Sequence, residues 1–199
     1  MRNDIRTRRS VTAIRQAFLC LMREQEYEDI TVKDLAQKAG VNRKTFYAHF
    51  ATKQELYESM VREMFEEIFY TFIYPKPNPG SEVDSQVLME DIRRFFQAVD
   101  RYREGLEVLV TSQTSGMAFT VAEQVILRRA DDIHLMTEAL PGKVPLQLYL
   151  IRIKSFFMMM IDWWLEQDEY SLEEAVVIMQ KTMRKNTCSV FRYQRTPGL

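Results

Sequence analysis

The sequence has 199 residues, of which 46% are hydrophobic and 28% charged, with a net charge of -1. That apolar content supports a packed core and excludes a chain disordered throughout, while the length allows one domain or two small ones. Residues 1–60 hold 11 Lys/Arg against 8 Asp/Glu, a balance of +3 that leaves -4 for the rest, so a partner carrying negative charge would meet the N-terminal end.

In chain order, Arg2, Arg6, Arg8 and Arg9 precede an apolar stripe of Val11, Ile14, Phe18, Leu21 and Met22. The pattern predicts a helix with a basic lead-in, and Arg6 and Arg8 are candidates to lie along a phosphate backbone or reach a minor groove. Thr31 and Asp34 then predict a helix start, since a threonine accepts a bond from the third helical amide and an acid favours the first turn. Val32, Leu35, Ala36 and Ala39 share one face, and Gly40 is placed to end the helix in the left-handed conformation. Asn42 caps a second helix whose Phe46 and Phe50 turn to the core. Ala36 keeps the first helix slim at the crossing, and Val41 fills the corner. The result is a helix-turn-helix whose second helix presents Arg43, Lys44 and Thr45 on its first turn, toward base edges of a major groove. Tyr47 and His49 flank them within reach of phosphates. Lys53 opens a further helix, whose first amides also favour an anion.

The stretch from Thr31 to Lys53, with its Phe46-Tyr47 pair and the ending Tyr47-x-His49-Phe50-x-x-Lys53, resembles the DNA-binding domain of TetR-type transcriptional regulators. By that resemblance Arg43, Lys44, Thr45 and Ala48 fall where the family touches bases, and Thr31, Tyr47, His49 and Lys53 where it touches phosphate. Lys44 departs from the pattern, because many relatives carry glycine or proline there. A long cation alters which bases can be read, so no operator sequence carries over.

Apolar residues from Leu56 to Ile73 sustain one helix from Lys53 to Tyr74, which Pro75, Pro77, Pro79 and Gly80 stop. A hinge or lid is expected over residues 75–84. Leu88, Ile92, Phe95, Phe96 and Val99 predict an amphipathic helix, Leu106 to Val110 a short one, and Met117 to Leu140 another. Leu146 to Gln167 forms the most apolar helix. Arg152, Lys154 and Asp162 interrupt it, so it is too broken to span a bilayer and no membrane partner is expected. Its apolar girth asks for a second surface, and another copy of the chain is the simplest one. Ser171 and Glu174 form a capping box for a last helix carrying Leu172, Val176, Met179 and Met183 at heptad-like spacing. Residues 146–180 are also similar to a TetR subgroup that includes activators of dihydroxyacetone kinase operons.

Chemistry finds few candidates. His134 with Asp131, Asp132 and Glu138 reads as a solvated charged face, and no phosphate loop or nucleophile elbow is present, so neither an enzyme nor a cofactor is expected. Cys20 and Cys188 make no disulfide framework. No secretory signal is visible at the basic N-terminus, and a cytoplasmic location is expected. The expectation is therefore an all-α chain. Residues 1–60 form a helix-turn-helix DNA-binding domain, and residues 61–199 form a helical ligand-binding and dimerisation domain. The function expected is a regulator binding double-stranded DNA at a palindromic operator, as a homodimer through its last two helices. Its control would come from a small-molecule effector held among methionine-rich and aromatic-rich helices, with Arg93, Tyr102, Gln113 and Tyr149 as polar anchors to consider. The alternative is a regulator or activator controlled by a partner protein.

Overall fold

The computed structural model describes residues 2–73, 85–110, 113–128 and 145–191. Among these residues every regular element is helical: α1 (Arg2–Glu24), a single 3-10 turn (Tyr27–Asp29), α2 (Val32–Lys38), α3 (Arg43–Tyr47), α4 (Lys53–Ile73), α5 (Ser85–Arg101), α6 (Arg103–Leu109), α7 (Ser115–Leu127), α8 (Leu146–Glu166) and α9 (Leu172–Phe191). The expected all-α class holds. The proline-rich connection, the end of the Met117–Leu140 helix and the His134 cluster lie outside the described residues.

The chain divides into two compact units. The first contains residues up to Met64 together with Tyr102–Ala122, and the second contains Phe65–Arg101 and the chain from Glu123 onward. In the first unit Ile14, Phe18 and Leu21 of α1 meet a core completed by Leu35 and Ala36, Phe46, Phe50, and Leu56, Tyr57 and Val61 of α4, all buried. Each large side chain so buried contributes about 1.5–3 kcal/mol. The unit also takes in α6 and the head of α7, through Leu106, Leu109, Ala118, Val121 and Ala122. Here α6 approaches α4 so closely that a Cβ on Gly105 would stand 2.8 Å from the Met64 Sδ. The Met64 thioether is the flexible end of its side chain and would have to shift to admit one.

The second unit is built on aromatic packing. Phe65 stacks on Phe69 at 5.2 Å, Phe157 of α8 lies 5.0 Å from Phe69 and 5.6 Å from Phe95, and Phe96 of α5 lies 4.7 Å from Trp164. Such pairs add about 0.5–1.5 kcal/mol to the burial of their area. The Trp164 indole donates to Asp100 at 2.8 Å, and Arg93 makes a two-toothed contact with Glu173 at 2.9 and 2.7 Å. Arg93, considered above as an effector anchor, thus binds α5 to α9. The capping box at the head of α9 is formed as expected, with the Ser171 amide donating to Glu174 at 2.9 Å and the Glu174 amide returning to the Ser171 Oγ at 3.4 Å. Val176 and Met179 are buried within this unit, so that part of the heptad-like row on α9 faces its own chain. No helix among the described residues is long and apolar enough to cross a membrane.

Candidate nucleic-acid interface

The helix-turn-helix is fixed at each of its ends by short-range chemistry. Thr31 accepts from the Asp34 amide at 3.2 Å while Asp34 accepts from the Thr31 amide at 3.1 Å and from its hydroxyl at 2.5 Å. These bonds hold the Asp34 carboxyl below its ordinary value. The C-terminus of α2 closes with the Val41 amide on the Ala36 carbonyl at 3.0 Å and the Gly40 amide on that of Gln37 at 3.2 Å. That paired closure needs a left-handed residue, and Gly40 supplies it with φ +64. Asn42 then accepts from the Thr45 amide at 2.7 Å and starts α3.

α3 buries Phe46 and turns its other side chains outward. Arg43, Lys44 and Ala48 are exposed, and so is Tyr47, at 54% of its surface. Neither Arg43 nor Lys44 has an ion-pair partner among the described residues. Both cations are therefore available to an anion or a base edge. Thr45 is half-buried and gives its hydroxyl hydrogen to Asn42 at 3.0 Å, so toward a base it is left with acceptor lone pairs. His49 is half-buried with its ring 6.4 Å from that of Phe50. Thr31 is exposed, its hydroxyl hydrogen spent on Asp34.

The basic lead-in is not an extended arm. α1 begins at Arg2, because no glycine or proline interrupts the first turns and Asp4 stands in the first one. Arg8 is an exposed side chain of that helix, and Arg9 beside it is exposed too; of Arg6 only the helical backbone is described. As a helix, the lead-in presents Arg8 and Arg9 as exposed cations that can meet phosphates, and lacks the slender extended backbone that entering a minor groove asks for.

Lys53 has a different environment. Its Nζ donates to the carbonyl oxygens of Tyr27 at 2.5 Å and Glu28 at 3.2 Å, and lies 4.2 Å from the centre of the Tyr27 ring. Burial pushes its pKa below the ordinary lysine value, against the opposing pull of Glu28 and Asp29. The head of α4 is meanwhile capped from its own segment, by the Thr52 Oγ1 accepting from the Glu55 amide at 3.0 Å and by Glu55 accepting from the Ala51 amide at 2.5 Å. Neither Thr52 nor Tyr27 stood out in the sequence. Thr52 followed three residues later by Glu55 is a visible capping pattern, whereas the role of Tyr27 is made by residues distant in the chain.

Comparisons with known proteins agree with this geometry. Residues 14–60 match the model of the tetR family of bacterial regulatory proteins. Over 80 residues the chain is 38% identical to YxbF of Bacillus subtilis (strain 168), an uncharacterized HTH-type transcriptional regulator. That match covers 39% of this chain and spans about a fifth of the relative's length, 21%. Among solved structures, a tetR-family transcriptional regulator of Streptomyces coelicolor superposes with a TM-score of 0.60 at 17% identity, covering 94% of this chain and 85% of the other. A TetR transcriptional regulator of Streptococcus agalactiae 2603V gives 0.57 at 22% identity, covering 92% and 97%. At such identities the likeness is one of fold.

Proposed function

The chain carries the N-terminal DNA-binding domain of the tetR family of bacterial regulatory proteins, and on that premise we propose that it is a ligand-responsive repressor that binds a palindromic operator as a homodimer. The observation that carries the reading is α3 itself. It is a short, capped helix whose Phe46 is buried while Arg43, Lys44 and Tyr47 stand outward, neither cation having an ion-pair partner among the described residues. Arg43, Lys44, Thr45 and Ala48 then read bases, and Thr31, Tyr47, His49, Arg6 and Arg8 position the backbone.

Dimerisation is supported by α8, where Leu148, Ile151 and Met159 remain 59%, 55% and 49% exposed on one side of a helix whose other side is core. A second copy of α8 and α9 would cover them, and two-fold symmetry would place two reading helices on half-sites about 34 Å apart or a multiple of it. An apolar or amphipathic effector among the helices of the second unit would act on DNA through α4, which runs unbroken from Lys53 to Ile73.

The test is selection of bound sequences from a random DNA pool with purified protein, followed by titration of the recovered site with and without metabolites that shift the melting temperature. A recovered palindrome whose affinity changes with one such molecule supports the whole reading. Hits that stabilise the protein but leave operator affinity unchanged remove small-molecule control. A protein that co-purifies and changes DNA affinity replaces the small molecule by a partner.

A further inference from the structure

Asp91 interrupts the buried side of α5. It lies one turn before Phe95, and Ile92, Phe95, Phe96, Ala98 and Val99 along the same helix are all buried and apolar. The aspartate is itself only 8% exposed, yet it takes part in no hydrogen bond or ion pair among the described residues. The two cations nearest to it along the helix are committed elsewhere. Arg94 donates to Glu90 at 3.2 Å, and Arg93 donates to Glu90 at 2.6 Å and to Glu173 of α9 at 2.9 and 2.7 Å. Burial raises the Asp91 carboxyl above its ordinary value, with Arg94 opposing.

A carboxylate buried without a donor destabilises the fold that holds it, and an asparagine or a leucine would fill the same space at smaller cost. Side chains that break the rules of core packing in this way concentrate at binding sites, where a ligand supplies the missing partner.

The surroundings narrow the chemistry of that ligand. Phe95 lies 5.6 Å from Phe157 of α8, Phe157 lies 5.0 Å from Phe69 of α4, and Phe69 stacks on Phe65 at 5.2 Å. Asp91 is thus one helical turn from a run of four rings, all within the second unit. Ring faces carry negative charge density that attracts cations, and their carbon covers apolar surface. An ionised carboxylate beside them repels an anion, has no hydrogen to give to an acceptor, and takes hydrogens from a donor.

We infer that Asp91 is the anchor of a binding site for an amphipathic organic cation, a protonated amine whose apolar tail packs among the rings of the second unit. The inference rests on the small-molecule control proposed above and names the chemical class of the molecule. The ammonium donates to the Asp91 carboxylate, and the rings cover the tail.

The experiment uses the full-length chain and three probes that share one tail and differ at its head: phenylbutylammonium, phenylbutanol and phenylbutanoate. Affinity for each is measured by isothermal titration at neutral pH, with wild type and with Asp91→Asn. Wild type is expected to bind the ammonium at least about tenfold more tightly than the alcohol, and the anion most weakly, because only the ammonium makes a charge-assisted bond to a carboxylate. Asp91→Asn should keep its affinity for the alcohol and lose the preference for the ammonium. A purely structural role for Asp91 would shift all three affinities together. Circular dichroism and a melting temperature no lower than that of wild type show that the variant is folded.

Equal affinity for the three heads, tighter binding of the alcohol or the anion, or a preference for the ammonium that survives in Asp91→Asn would each overturn the inference. So would the absence of ammonium binding up to millimolar concentration. Control of DNA is judged apart, by operator titration with each probe. A neutral or anionic metabolite that changes operator affinity, and that binds Asp91→Asn as it binds wild type, leaves small-molecule control standing and overturns the cation. Ammonium binding that depends on Asp91 but leaves operator affinity unchanged upholds the site and counts against the control.

Discussion

The Tyr57 hydroxyl on α4 lies 2.9 Å from the Leu109 carbonyl oxygen at the end of α6 and donates to it from a position with no exposed surface. It also lies 3.2 Å from the Thr114 carbonyl, and the Thr114 hydroxyl donates to the same Leu109 oxygen at 2.6 Å. The corner between α6 and α7 is thereby bound to the unit that carries the helix-turn-helix. Because each carbonyl keeps another donor, the Thr114 hydroxyl or the Ala118 amide, Tyr57→Phe orphans neither of them. The loss should be about 1 kcal/mol, not the larger cost of a stranded polar group, and urea unfolding measures it.

Tyr57 also carries a pH signature. Burial pushes its phenol up to about 12 from an ordinary value of 10, so the folded state favours the protonated form. The corresponding stability is complete below pH 10 and is lost as pH rises through about 12. Wild-type protein should lose stability across that window more steeply than Tyr57→Phe, and equal slopes in paired urea titrations would contradict the assignment.

What was legible in the sequence follows the reach of each interaction. Thr31 with Asp34, Gly40, Asn42 with Thr45, and Ser171 with Glu174 act within three or four residues, and each lies where its letters place it. The hydrogen bond from Lys53 spans 26 residues to a backbone carbonyl, which any residue type could supply, so no letter announces it. The attachment of α6 and the head of α7 to the first unit depends on Tyr57 meeting carbonyls 52 and 57 residues away. Heptad-like spacing on α9 showed that a face is apolar but not which neighbour covers it, and α5 of the same chain is bound there through Arg93 and Glu173.

Base reading is expected to separate the two outward cations of α3 from the rest. Arg43→Ala and Lys44→Ala should each relax the preference at particular operator positions by about 1–3 kcal/mol where the contact is bidentate. Tyr47→Phe should weaken all sequences alike. Repeating the sequence selection with each variant is the measurement, and unchanged position preferences in both cation variants would refute base contact by this helix.

Asp91 on α5 is 8% exposed and accepts no hydrogen bond among the described residues. Burial raises its carboxyl above the ordinary 3.8, Arg94 opposing and Glu90 adding. The raised value means that the folded state favours the neutral acid, so its favourable contribution is present below pH 3.8 and lost as pH rises above it. At neutral pH the residue is thus a cost. Asp91→Asn should raise the melting temperature at pH 7, with the gain vanishing in acid, and a pH-independent effect would exclude the carboxylate as its source.

The dimer prediction turns on which apolar residues are free to be covered. Met179 on α9 is 4% exposed and packed within its own unit, so Met179→Asp buries an unpaired charge in a core and should unfold that unit whatever the assembly state. Met159 on α8 is 49% exposed, with Leu148 and Ile151 further along the same helix and Asp162 one turn on. In a two-fold assembly through α8, Met159→Asp appears twice, removes about 1.5–3 kcal/mol of burial per copy, and sets a new carboxylate beside the existing Asp162 of each chain. The dimer dissociation constant should rise at least about a hundredfold while the helical circular dichroism of the chain is retained. Sedimentation velocity at micromolar concentration reads the first effect and thermal melting the second. Operator affinity should fall with the dimer, because a single reading head engages only one half-site. A Met159→Asp chain that sediments as a dimer and holds the operator at wild-type affinity would show that the exposed side of α8 is not where two copies meet.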